Sequence, residues 1–499
     1  MEEGLKISLG KDSLWYVPAE VIPALLGFLV IPVYTWLFTP EEYGDYSLAM
    51  ATVSMLAIFT YVWLNNSNLR FFSIYRNKNE LGTYYTTSFF FIGTSVGIIC
   101  VLIYVLAWLH VLTGVLLNYA LVITCLLAST SIFTTLQTTL RSDRKAKYVS
   151  LFTCVSQVMA VVLALTLIFV FHMGIVAILL GEFIIEMLLM IIIVIRFDVI
   201  RNIRLKFLSR YALQEFFAFG SPFIIMSVCN WILSTSDRYI IEYFLNPHAV
   251  GIFYASSQLG NMPITMISTI LIMAGYPILI DNYEKNGDKS TSFLITTILK
   301  YFLIIIIPVV LGISILAPDF TSLLGNQYSG ASAIIPIIAL GAALQGMRMY
   351  TGQGLQLKNK TLVMSIMYCA IAIVKIAASL ILIPLYGVSG AAMASIVAGL
   401  CFVALTWVLS CRCLYSKFPV GSTVKSVASG AVMCVGIYAM KMIAFPEASA
   451  LSFLVLTALG MVIYFPVILY LGELREEFGL VRMRIATDAR MVKVINRLL

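Results

Sequence analysis

The chain is a regular succession of long apolar runs joined by short polar connections. Fourteen runs can be read, at 14–37, 44–65, 84–108, 116–139, 148–171, 175–196, 217–242, 251–277, 292–316, 329–352, 362–385, 388–411, 422–443 and 450–471. Each is close to the ~20 residues a helix needs to cross the hydrocarbon core. Backbone amides in lipid must be satisfied within their own segment, so the runs predict helices. Their continuity is unlike the alternation of barrel strands. The expected fold class is all-α integral membrane, with fourteen transmembrane helices. With 61% hydrophobic and 11% charged residues, little chain is left for anything else.

Among the connections, lysine and arginine are confined to every second one. Arg70, Arg76 and Lys78 form one basic group; Arg141, Arg144, Lys145 and Lys147 another; Arg201, Arg204, Lys206 and Arg210 a third. The tail adds Arg475, Arg482, Arg484, Arg490, Lys493 and Arg497. The intervening connections (38–43, 109–115, 172–174, 243–250, 317–328, 386–387, 444–449) hold no Lys or Arg. The positive-inside rule then places both termini in the cytoplasm of a cell-membrane protein. The net charge of +8 is a topology signal. Its basic residues are dispersed at helix ends, so no nucleic-acid partner is expected. The first residues lack a signal-peptide layout, and the first run is read as a retained helix. The nine cysteines fall mostly inside runs and read as small apolar side chains.

The chain also repeats itself. Pro40-Glu-Glu-Tyr-Gly44 follows the first run, and Pro247-His-Ala-Val-Gly251 follows the seventh. Proline suits the start of such a turn, and glycine tolerates its backbone twist. A second echo links the basic stretches before the fifth and eleventh runs, Lys145-Ala-Lys147 and Lys358-Asn-Lys360. Two parallel six-helix halves are therefore expected, 1–196 and 217–411, related by an axis along the membrane normal. Residues 197–216 read as an amphipathic cytoplasmic linker. Two helices without a partner in the repeat (412–471) and a basic cytoplasmic tail (472–499) complete the layout.

Three stretches carry a family resemblance. They are Leu37-Phe-Thr-Pro-Glu-Glu-Tyr-Gly-Asp-Tyr46, Trp231-Ile-Leu-Ser-Thr-Ser-Asp-Arg238 and Ile383-Pro-Leu-Tyr-Gly387. With the span count and the repeat, they resemble the Wzx-type polysaccharide flippases. These belong to the multidrug/oligosaccharidyl-lipid/polysaccharide exporter superfamily and include the O-antigen flippases. The resemblance implies two lobes in a V around a central cavity. It implies translocation of a polyprenyl-diphosphate-linked oligosaccharide from the inner to the outer leaflet. The implied partners are that lipid, membrane lipids, H+ or Na+ as a coupling ion, and glycan polymerase machinery. No cofactor and no metal are implied.

Charges inside runs are the candidate functional residues, because each costs ~2.5–3.5 kcal/mol at mid-bilayer on insertion scales. Lys375 is near the middle of its run; it reads either as a cavity cation that holds a phosphate or as half of a structural ion pair. Arg348, near a cytoplasmic end, reads as a cation at the cavity mouth or as a snorkelling side chain. Arg70, just past the second run, joins them on the strength of the resemblance. Asp237 and Arg238 suggest an outer gate or a helix-end anchor. As sequence neighbours on a helix they must point to different partners. Glu182 and Glu186 share a face at i, i+4 spacing, and Glu20 sits between Pro18 and Pro23; these three are candidates for ion coupling, with a satisfied neutral carboxyl as the bland alternative. Lys300 and Lys441 read as interfacial anchors.

Enzyme signatures are missing: there is no His-Glu-x-x-His, no nucleophile elbow and no Walker loop. Three functions are compatible with a chain of this kind to different degrees. A lipid-linked oligosaccharide flippase fits the deep cation and the two extra helices. A cation-coupled multidrug exporter would need an acidic or aromatic cavity and only twelve spans. A membrane glycan polymerase or ligase would need larger outer loops with basic residues.

Overall fold

The computed structural model describes residues 2–110 and 114–473. The basic tail from Arg475 to Arg497, and residues 111–113 of the 109–115 connection, lie outside the described residues. The described chain is helical, in the order α1 (Glu2–Leu37), α2 (Pro40–Ala57), α3 (Trp63–Asn77), α4 (Leu81–Trp108), α5 (Val115–Asn118), α6 (Ala120–Ser142), α7 (Ala146–Phe171), α8 (Val176–Arg196), α9 (Val199–Asn202), α10 (Arg210–Thr235), α11 (Asp237–Phe244), α12 (Pro247–Ile315), α13 (Ala317–Ser322), α14 (Ala331–Thr351), α15 (Gln353–Leu357), α16 (Thr361–Tyr386), α17 (Val388–Cys413), α18 (Val420–Ala444) and α19 (Ala450–Tyr470).

Among the described residues, thirteen helices are long and apolar enough to cross a membrane. One of them, α12, has 69 residues. At 1.5 Å per residue it would run ~100 Å, about three times the hydrocarbon thickness. It turns back at Gly287, whose φ of 70° and ψ of −165° are open to glycine. The eighth and ninth runs therefore form a hairpin joined by this bend, and the crossings total fourteen.

Local chemistry sets the boundaries. Thr39 opens α2 with a capping box: its hydroxyl accepts from the Glu42 amide, and the Glu42 carboxylate accepts from the Thr39 amide at 2.9 Å. Pro40 occupies the first turn, where no intrahelical N–H is needed. Between α2 and α3, Ile58–Val62 form a π turn that the apolar pattern does not reveal. The 197–216 segment is not one amphipathic helix. It consists of α9, a 3-10 turn at Leu205–Phe207 and the start of α10. The Thr86 hydroxyl on α4 accepts from the Arg204 amide at 3.1 Å and so engages backbone that a continuous helix would need. Ser209 then caps α10 by accepting from the Ala212 amide at 3.2 Å.

The chain forms two compact units. The first comprises Met1–Met262, Leu324–Ile334 and Thr361–Phe402. Its centre includes Trp63, Leu64, Tyr84 and Phe216, each no more than 1% exposed, where α3, α4 and α10 meet. The second comprises Pro263–Leu323, Ile335–Lys360 and Val403–Leu499. In the second unit Asp319 is fully buried, forms an ion pair with Lys441 and accepts the Ser452 hydroxyl at 2.5 Å. Lys300 pairs with Glu473 at 2.9 Å. Neither lysine is the free interfacial anchor expected from its position, because a carboxylate from elsewhere in the chain folds against each.

Candidate functional site

An ion pair enclosed on both sides lies in the first unit. α10 gives way to α11 at Ser236, and Asp237 opens the new helix. Asp237 faces α16, with Oδ2 2.7 Å from Lys375 Nζ and Oδ1 accepting the Ser379 hydroxyl at 2.9 Å. Lys375 also donates to Ser395 Oγ at 2.5 Å and to the Ala391 carbonyl at 3.4 Å, both on α17. The side chains of Lys375 and Asp237 are 1% and 5% exposed. Lys375 is therefore fully enclosed, its charge matched by a carboxylate and its remaining protons by a hydroxyl and a carbonyl. Ser379, which bonds the same carboxylate, was not singled out from the sequence; its place four residues past Lys375 on one helix face is the signal that could have found it.

Arg238 points elsewhere, as helix geometry requires. It donates to the Ser47 carbonyl at 3.1 Å and lies 4.5 Å from the Tyr254 ring centre. Further bonds tie α10 and α11 to α2. Trp231 Nε1 donates to the Ala51 carbonyl at 3.2 Å and to Ser54 Oγ at 3.1 Å, and the Tyr239 and Thr52 hydroxyls meet at 2.6 Å.

The repeated segments are not inter-helix turns with twisted glycines: they are the first turns of α2 and α12, with Gly44 and Gly251 in helical backbone, and they meet at this end of the unit. A Cβ added to Gly44 would lie 2.2 Å from the Pro247 carbonyl oxygen, and one added to Gly251 would lie 1.8 Å from that of Pro40. Each glycine thus seats the other turn's proline carbonyl. Close backbone approach of this kind requires a residue without a side chain. The Pro-x-x-x-Gly echo is a reciprocal clasp.

The three candidate carboxylates have different surroundings. Glu186 is 6% exposed, and its Oε2 accepts the Ser129 and Thr130 hydroxyls at 2.6 and 2.8 Å. Glu182, one turn earlier on α8, opens onto a cavity of about 140 Å³. Tyr34, Tyr43, Tyr46 and Tyr254 share the wall of this cavity with Gln157 and Gln258. Glu20 is exposed on α1 and does not line that cavity.

A second, more open pocket of about 440 Å³ lies between α2, the π turn, α10 and α16. Its walls include Ser54, Ile58, Val62, Asn230, Trp231 and Tyr368. Arg70 lies outside it, exposed, with its guanidinium 4.4 Å from the Phe219 ring centre. Arg348 belongs to the second unit, where its Nε donates to Gln345 at 3.0 Å. Within the first unit the structure brings together Lys375 and Asp237; Arg70 stands apart from that pair.

Residues 9–283, more than half of the chain, match the profile of a family described as polysaccharide biosynthesis protein. The teichuronic acid biosynthesis protein TuaB of Bacillus subtilis (strain 168) is 24% identical over 149 residues, which are 30% of this chain and 30% of that relative. Among solved structures, the lipid II flippase MurJ in an inward closed conformation superposes with a TM-score of 0.73 at 16% identity, covering 91% of this chain and 97% of that one. An inward-facing multidrug resistance MATE family transporter gives 0.66 at 14% identity, covering 79% and 97%. At these identities the likeness establishes the fold. It is an all-helical, multi-pass membrane fold.

Proposed function

The chain belongs to the polysaccharide biosynthesis protein family, and from that premise we propose that it flips a polyprenyl-diphosphate-linked oligosaccharide from the inner to the outer leaflet of the cell membrane by alternating access. Relatives named for teichuronic acid biosynthesis and lipid II flipping support that class of cargo. The observation that carries the reading is the enclosed Lys375–Asp237 pair. Replacing a buried ion pair with packed apolar residues is often neutral or stabilising, so stability alone gives little reason to keep one in a membrane helix. A charge held by a carboxylate can be handed to a diphosphate. The anion would otherwise cross a medium that penalises it heavily.

In this scheme the lobes 1–196 and 217–411 rock about the site. Arg70 and Arg348 offer cations at the cytoplasmic mouth, and Lys375 exchanges Asp237 for the headgroup. Asp237 and Arg238, with the two-turn clasp beside them, close the outer side. The lipid tail stays in the bilayer beside 412–471, and the glycan passes to polymerase machinery outside. The direct test uses the purified full chain in proteoliposomes with a fluorescent polyprenyl-diphosphate disaccharide. Headgroup should become accessible to a membrane-impermeant quencher faster than in protein-free vesicles. Equal rates would overturn the reading.

Net direction needs a gradient, and Glu182 and Glu186 are the proposed sites of H+ or Na+ coupling. Glu182 faces open space, and Glu186 is reached through hydroxyls. Glu186→Gln is expected to flatten the response of vesicle transport to an imposed pH gradient; an unchanged response would remove Glu186 from coupling. The acidic, tyrosine-lined cavity favours a second reading, export of a cationic drug. Its volume of about 140 Å³ weighs against that, since drug-sized ligands occupy ~300–1,000 Å³.

A further inference from the structure

The 440 Å³ pocket has a chemistry of its own. Among the described residues that line it, none is charged. One face of α10 supplies Ser227, Asn230, Trp231 and Ser234 at three- and four-residue steps. α2 and the π turn supply Ser54, Ile58 and Val62 at steps of four on the facing side.

The indole of Trp231 is fixed, because its N–H is held by the Ala51 carbonyl and Ser54 Oγ. A ring anchored in this way loses little freedom on meeting a ligand. The side chains of Asn230 and Ser227 engage no partner among the described residues. Asn230 is exposed into the open volume. An anchored aromatic face beside an unengaged amide and hydroxyl matches a sugar ring. The ring's C–H face lies on the indole, its hydroxyls exchange hydrogen bonds with serine, and an N-acetyl group can pair with a carboxamide. The volume is in the range of pockets that enclose small organic ligands.

Uncharged walls also discriminate. A carboxylate brought here would lose water and find no cation on the wall, a heavy penalty. A neutral sugar loses less, and its hydroxyls regain partners.

We propose that this pocket is a glycan-reading site that accepts uncharged hexose or N-acetylhexosamine rings and rejects acidic sugars. With the flippase reading as its basis, the site selects the glycan of the cargo, and the diphosphate is held elsewhere, by the cations.

The test uses the full chain in lipid nanodiscs and free N-acetylglucosamine, glucose and glucuronic acid as probes, read by saturation-transfer NMR. N-acetylglucosamine and glucose should receive saturation, and glucuronic acid at least about tenfold less. Asn230→Ala should weaken N-acetylglucosamine binding roughly three- to tenfold, the equivalent of one neutral hydrogen bond. Trp231→Ala should weaken both neutral sugars. Asn230 is exposed, so its variant keeps the packing intact, and elution as a single species checks this. Comparable saturation of glucuronic acid, or unchanged binding in both variants, would overturn the proposal. The proteoliposome assay separates the two readings. Sugar discrimination without flipping sinks transport alone, and flipping without discrimination sinks the pocket alone.

Discussion

Lys375→Ala is expected to abolish glycan display and headgroup flipping and to lower the stability of the protein. The alanine leaves the Asp237 carboxylate enclosed, with the Ser379 hydroxyl as its one side-chain partner among the described residues. Removing one partner of a buried pair costs ~3–5 kcal/mol because the surviving charge is uncompensated. Loss of function in that variant therefore has two sources. Asp237→Asn combined with Lys375→Met separates them, since it removes both charges and keeps the volume. The double variant should regain membrane abundance and detergent melting temperature while transport stays absent. If transport returns along with abundance, the pair is purely structural. If Lys375→Ala alone displays glycan normally, Lys375 is not part of the site.

Gly251→Val should part the clasp. Even the first side-chain carbon would sit 1.8 Å from the Pro40 carbonyl oxygen, so the two turns must separate. Overpacking of this kind costs ~1–3 kcal/mol. Hydrogen exchange should quicken at the amides of the Pro40 and Pro247 turns, and glycan display should fall at least about tenfold. Gly44→Val should act through the same contact, so the double variant should be clearly less than additive. Additive effects, or unchanged exchange at the partner turn, would dissolve the clasp.

Much of the architecture was legible in the one-dimensional pattern, because bilayer thickness imposes a length on every crossing. The helices follow the apolar runs, and the proline–glycine echo marked two turns that meet. The divergence of Asp237 and Arg238 followed from helix geometry alone. The pairing of Lys375 was not legible, since depth in a run says nothing about which carboxylate on another helix arrives beside it. Glu182 and Glu186 looked equivalent at i, i+4 spacing, yet Ser129 and Thr130 from α6 seal one and leave the other facing a cavity. Lys300 and Lys441 looked like anchors because their acidic partners lie outside the runs, Glu473 in the tail segment and Asp319 in a short connection. The π turn left no mark on hydropathy, since one extra residue in a helical turn alters geometry without altering composition.

The burial of Asp319 bears on how the chain is made. Among the described residues its cation comes from α18 and its hydroxyl from α19, both synthesised long after it. Until those two helices insert, the ribosome-bound intermediate carries an orphan acid within or beside lipid. A chain cut after Cys413 would leave that carboxylate without either partner. α18 and α19 thus supply the partners that an acid in an earlier connection needs.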